Sequence, residues 1–178
     1  GSLGKLIRLY GKSSDYEMYK AFAGIYADFV YNEDETEYVQ VKLPDEMIYF
    51  SQMDGGNPEH FAAYSYLITE RKLTSEIILR YRLGFCITGK YAQRIIIPSY
   101  DAEGEINYFV SRYYGDDPIT KKKKPYLNPY ADKDLIIFNE GLVNWDSTVY
   151  LVEGAFEMLS FPVNIIPMLG KTLSSTLF

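Results

Sequence analysis

Cysteine and histidine are nearly absent: of 178 residues one is cysteine, Cys86, and one is histidine, His60. A single cysteine excludes an internal disulfide, and the two residues together cannot furnish the four Cys and His ligands of a tetrahedral zinc site. Long hydrophobic runs are missing as well. No stretch approaches the roughly 20 apolar residues that cross a bilayer, and the start lacks the basic segment and apolar core of a secretory signal; a cytoplasmic location is expected. Positive charge is in short supply, with 18 Lys and Arg against 24 Asp and Glu for a formal net charge of −6. That balance argues against a chain that coats nucleic acid indiscriminately, because such affinity comes mostly from cations neutralising phosphates. Any nucleic-acid contact must therefore be local.

What the chain does have is apolar and aromatic mass, 47% hydrophobic residues with 18 tyrosines and 10 phenylalanines, enough for one ordinary domain or two small lobes. Helical spacing of apolar residues predicts two short helices within 3–31, with Tyr10, Tyr26 and Phe29 assigned to core, as is Tyr81 further on. Alternation predicts a strand over 38–43, a turn at Pro44–Asp45 and a second strand over 47–50. Helical patterning resumes over 59–70, where His60 is read as a surface residue rather than a catalyst, and Thr74 caps a further helix. Residues 94–98 and 106–110 read as a β-hairpin around Asp101 to Gly104. Residues 116–133 read as a polar, basic connector, and 149–152 and 165–169 as short apolar strands on either side of an amphipathic helix.

The segment YLVEGAFEMLSF at 150–161 ends a strand on Glu153 and follows it with glycine. The backbone can then turn sharply into a helix while the acid faces a site suited to a metal or a general base. An exposed acid at a strand end is the plainer reading of those residues alone. A second strand ending in Leu-Gly-Lys-Thr follows in NIIPMLGKTLS at 164–174, and this pairing resembles the opening of the Toprim domain of primases and topoisomerases. Upstream, YLITERKLTSEIILRYRLGFC at 66–86, RIIIPSYDAEGEINYFVSR at 94–112 and PYLNP at 125–129 resemble, in the correct order, segments of the bacterial and phage replicative DNA primases of the DnaG type. GSLGKLIRLYG at 1–11 resembles the linker helix that follows the zinc domain of that family.

The resemblance implies an α/β fold: an α+β primase RNA-polymerase subdomain over 1–147 and, over 148–178, the first half of a Toprim, Rossmann-like sheet. It implies RNA-primer synthesis on single-stranded DNA by metal-dependent nucleotidyl transfer. Glu153 would be the catalytic carboxylate, and Glu153 and Glu157 would contribute to an incomplete Mg²⁺ or Mn²⁺ site; zinc is implied only in a preceding domain. The remaining metal ligands of the family come from a later Asp-x-Asp strand, so the segment by itself is expected to be inactive. Nucleotide or DNA binding is implied for Arg94, Arg112, Lys121, Lys122, Lys123, Lys124, Tyr126, Asn128 and Lys171. Two positions depart from the family: Pro125 stands where a lysine usually precedes Tyr-Leu-Asn, and Glu140 aligns with another family lysine.

Expected partners are a single-stranded DNA template, NTPs, a replicative helicase, and either the missing Toprim half or a second copy. A sheet cut after two strands leaves an uncovered edge that favours such association. The lysine run also reads as a solvated loop, and Arg94 and Arg112 as partners of surface acids. A binding module without catalysis, holding single-stranded nucleic acid or a replication partner, is the second reading. A Toprim nuclease is the third.

Overall fold

The computed structural model describes residues 41–161 and 163–170. The chain divides into two compact units, residues 1–39 with 178 and residues 40–177, and the described residues belong to the second. The helices expected within 3–31, the core roles of Tyr10, Tyr26 and Phe29, the beginning of the 38–43 strand and Lys171 lie outside the described residues.

Strand β3 (Arg94–Tyr100) carries the run Ile95-Ile96-Ile97, all three side chains fully buried. A continuous apolar run of this kind belongs to a strand covered on both faces, since alternate side chains point opposite ways. Ile95 and Ile97 join Phe85 and Val110 in the larger core beneath the helices, while Ile96 faces Cys86, Tyr91 and Phe109 on the other side. β3 pairs with β4 (Ile106–Tyr113) on one side and β2 (Gly84–Cys86) on the other. β2 also pairs with the two-residue β1 (Ile48–Tyr49), so the antiparallel sheet runs β1-β2-β3-β4. Pro98, which has no N–H to donate, lies beyond Ile96, where the β2 ladder ends.

The hairpin turn is held by Asp101. Its carboxylate accepts from the Glu105 N–H (2.8 Å) and the Glu103 N–H (3.1 Å), and Gly104 supplies the left-handed residue at φ 88°. Helix α1 (Pro58–Ser65) starts on Asn57, whose side chain accepts from the Glu59 N–H, with proline in the first turn. It continues as one turn of π-helix over Tyr66–Glu70. Helix α2 (Ser75–Arg80) begins on Thr74, whose hydroxyl accepts from the Ile77 N–H. The Thr74 cap falls where the sequence places it, whereas Asn57, read as loop, starts its helix one residue before the expected range.

Three expectations require correction. Residues 41–43 form no strand; Val41 and Leu43 sit instead against the Ile96 side of the sheet, so their alternation reports a buried face without a ladder. His60 is buried, its Nδ1 accepting from the Asp54 N–H at 3.0 Å and its ring packed edge-on against Phe85 at 5.0 Å. The lysine run is helical rather than a loop: α3 spans Pro118–Lys123, capped by Asp117 with proline in its first turn. Asp-Pro ahead of a short basic run is a legible start signal.

The chain then passes through single 3-10 turns at Lys133–Leu135 and Glu140–Leu142. Strand β5 (Tyr150–Val152), helix α4 (Ala155–Ser160) and strand β6 (Ile165–Pro167) complete the described fold, with β5 and β6 parallel. Phe156, Met158, Leu159 and Ile165 share one core with Phe50, Leu67, Ile78 and Phe85. The βαβ unit expected to open a separate domain at 148 is thus packed onto the same hydrophobic cluster as the residues before it.

Candidate nucleic-acid interface

The segment after α3 lies along the free edge of β4. The Tyr113 N–H donates to the Pro125 carbonyl (2.9 Å), the Leu127 N–H to the Ser111 carbonyl (3.2 Å), and the Asn128 side chain accepts from the Ser111 N–H (3.0 Å). Tyr-Leu-Asn at 126–128 therefore extends the sheet, and Leu127 is partly buried toward Phe109 while Tyr126 is left 46% exposed. Alternation dictates that split. Asn128, expected as a nucleotide ligand, uses its carbonyl oxygen to satisfy the β4 edge.

Tyr126 stands opposite Arg112, whose guanidinium carbon lies 4.7 Å from the tyrosine ring centroid. The Arg112 Nε is buried without a hydrogen-bond partner, as are the Tyr108 and Ser111 hydroxyls. Arg94 is placed differently. It is 4% exposed, and its guanidinium donates to the Lys124 carbonyl at 2.9 Å and the Pro125 carbonyl at 3.4 Å. Burial lowers its pKa, and the neighbouring Arg112 cation pushes the same way against the raising effect of Tyr113 and Tyr91. Arg94 thus positions the lysine segment, whereas Arg112 is the arginine with unspent hydrogen-bonding capacity. Lys121, Lys122, Lys123 and Lys124 are all exposed, the first three in the last turn of α3, where cations suit the helix dipole.

At the other motif, β5 delivers Glu153 to an exposed position directly before Gly154, and α4 begins at Ala155. Glu157, expected as a second metal ligand, reaches back to that turn. Its Oε2 accepts from the Glu153 N–H (3.0 Å) and the Gly154 N–H (3.3 Å), the carboxylate half of a capping box. Among the described residues no three His, Cys, Asp or Glu side chains gather where an ion could be held. Glu153 offers one oxygen donor group toward a divalent ion. That falls short of the near-octahedral oxygen set of Mg²⁺.

Two cations that the sequence pattern does not single out tie the β5–α4–β6 region to the elements before it. Arg71 donates from Nε to the Tyr66 hydroxyl at 2.7 Å and lies 4.4 Å from the ring centroid of Phe156, in the first turn of α4. Lys133 donates to the Leu169 carbonyl at 3.2 Å, just past β6, and lies 5.9 Å from the Tyr108 ring centroid. Arg71 lies within the 66–86 segment, but nothing local distinguishes it from the charges around it; only the contact with Phe156 does.

No protein-family model matches the chain, and no curated protein matches its sequence. Solved structures do. The E. coli primase catalytic core aligns at 20% identity over 70% of this chain and 52% of that one, with a TM-score of 0.55. The RNA polymerase domain of Mycobacterium tuberculosis primase DnaG aligns at 18% identity over 70% and 53%, at 0.54. A DnaG primase catalytic domain bound to ssDNA aligns at 20% identity over 70% and 52%, at 0.53. The chain has the α/β fold of the DnaG-type primase catalytic core, and it spans about half the length of these structures. No helix among the described residues is long and apolar enough to cross a membrane.

Proposed function

We propose that this chain is the template- and nucleotide-binding part of a DNA primase, contributing to RNA-primer synthesis by nucleotidyl transfer. The observation that carries this reading is the Arg112–Tyr126 pair on a sheet edge, with an unpartnered buried Nε and a run of exposed lysines beside it. An aromatic face next to cations suits a single strand, because every base can stack and every phosphate can be neutralised. The ssDNA held by one structure of the same fold is consistent with it.

In this reading Glu153 is the catalytic carboxylate, with Mg²⁺ or Mn²⁺ as the expected ion and NTPs as substrates; the Toprim character of 150–174 rests on resemblance, supported by the parallel β5-α4-β6 unit. Arg112, Tyr126 and the lysines hold the strand or the triphosphate, and Arg94 and Asn128 keep that surface in place. Lys171 remains a candidate contact on resemblance alone. Further acids are needed for an ion pair to act on the attacking and leaving oxygens, so this chain by itself is expected not to synthesise primers. A partner supplying them, or a helicase or second copy, has apolar surface to meet: Trp145, Tyr150, Phe161 and Val163 are half exposed or more.

The test is binding of a labelled oligothymidylate by fluorescence anisotropy across a salt series. Affinity falls with a slope of about −0.7 per phosphate contacted. Alanine at Lys121, Lys122 and Lys123 flattens that slope, and Tyr126→Ala weakens binding by roughly 1–3 kcal/mol for the stacked base. An unchanged slope in the lysine variant assigns the run to a solvated helix and removes this reading. In a protein that does make primers, Glu153→Gln abolishes template-dependent ribonucleotide incorporation while leaving this binding intact; that split separates the enzyme from the pure binding module.

A further inference from the structure

Arg82 occupies a place where glycine is the usual residue. It is the left-handed residue, φ 50°, that closes α2. The Leu83 N–H donates to the Ile78 carbonyl (3.0 Å) and the Arg82 N–H to the Leu79 carbonyl (3.1 Å), a paired closure that favours glycine because a Cβ is strained there. A long cationic side chain at such a position carries strain that its own contacts must offset. Its guanidinium carbon lies 5.3 Å from the Tyr100 ring centroid, at the turn end of the β3–β4 hairpin.

Arg82 is also the wall shared by two hollows. One, of about 350 Å³, is apolar, with Ile78, Leu79 and Leu83 lining it beside Tyr49; Leu79 is 54% exposed there. The other, of about 410 Å³, lies between Arg80, Arg82, Tyr100 and the hairpin turn. Tyr49 and Tyr100 meet across this region: burial raises the Tyr49 pKa, and the neighbouring Tyr100 hydroxyl raises it further against the lowering effect of Arg82. Of the acids on the turn, Asp101 is bound by the Glu103 and Glu105 N–H groups, and Glu103 is exposed at the rim.

We propose that the two hollows form a nucleotide site, the base seated against Tyr49 and Leu79 and the phosphate held by Arg82 and Arg80. An apolar floor, a tyrosine and two guanidinium forks suit an aromatic phosphate ester better than an acidic peptide, whose carboxylates have no use for the floor. The ligand is a free nucleotide or one unit of a single strand. The site is separate from the Arg112–Tyr126 surface: six residue steps of β3 divide Arg94 from Tyr100, roughly 20 Å of extended strand.

The test uses the full chain and the ring-proton NMR signals of Tyr49 and Tyr100, assigned through their phenylalanine variants. One arm adds ATP and the other an oligothymidylate. Movement of both signals with ATP identifies a free-nucleotide site, and movement only with the oligonucleotide identifies a strand site; either supports the proposal. Arg82→Gly removes the strain, so its melting temperature is unchanged or a few degrees higher, while the affinity read from these signals falls about tenfold. The lysine-to-alanine variant of α3 keeps the response, which separates this site from the other surface. Silence of both signals in both arms, or equal affinity in Arg82→Gly, overturns the proposal.

Discussion

The guanidinium of Arg94 on β3 reaches past β4 and donates to the main-chain carbonyl of Lys124 at 2.9 Å, with the Pro125 carbonyl 3.4 Å from its other nitrogen. One buried cation thus holds the last residue of the lysine run and the first residue of the added edge strand. A lysine at 94 has no fork to span two carbonyls. Arg94→Lys is expected to lose about 1.5–3 kcal/mol in urea denaturation and, by loosening α3, to weaken oligonucleotide binding. A variant as stable as the parent shows that the fork does not hold this segment.

Gly84 in β2 is packed against β1: a Cβ there would stand 2.8 Å from the Ile48 carbonyl oxygen, which is backbone and has little freedom to move. Gly84→Ala is therefore expected to cost about 1–3 kcal/mol, as overpacking does. Thermal melting measures it. A neutral substitution places β1 further from β2 than the described register.

Asp117 caps α3, its Oδ2 accepting from the Thr120 N–H at 2.7 Å. Hydrogen bonds from Thr120, opposed by slight desolvation, hold its carboxyl below the usual value of 3.8. A depressed pKa means that the cap contributes stability above about pH 4 and loses it as the pH falls through the lower folded value. The Thr120 and Lys121 amide signals are expected to shift and to exchange faster in that acid range, and Asp117→Asn to remove the dependence. Signals indifferent to pH below 4 show that the cap is not formed.

Glu157 satisfies the Glu153 and Gly154 N–H groups at the start of α4. Glu157→Ala leaves both without that acceptor and is expected to cost about 1 kcal/mol, with faster amide exchange at both residues. Glu157→Gln keeps a neutral acceptor but loses the charge that favours a helix N-terminus, and falls between the two. Equal exchange in all three proteins assigns the carboxylate elsewhere.

The elements that the sequence determined by itself are those whose energetics are local. Asp101 and Gly104 close a turn within five residues, Asn57 and Thr74 cap helices within three, and the strand-Glu-Gly-helix order at 150–160 is held by its own glycine and by Glu157. The Asp117–Pro118 start of α3 is equally local, though the charge of the lysines after it masks the signal. Tertiary structure alone decided the rest. Arg94 and Arg112 look alike in sequence, each at the outer end of an apolar strand. One turns to carbonyls 30 and 31 residues away, while the other lies over Tyr126 with an unpartnered Nε. His60, polar at a helix start, is buried because the Asp54 N–H and the Phe85 ring meet it there. Caps and periodicity depend on neighbours within a turn or two, whereas the fate of a cation or an imidazole depends on which distant backbone and ring the sheet register brings beside it.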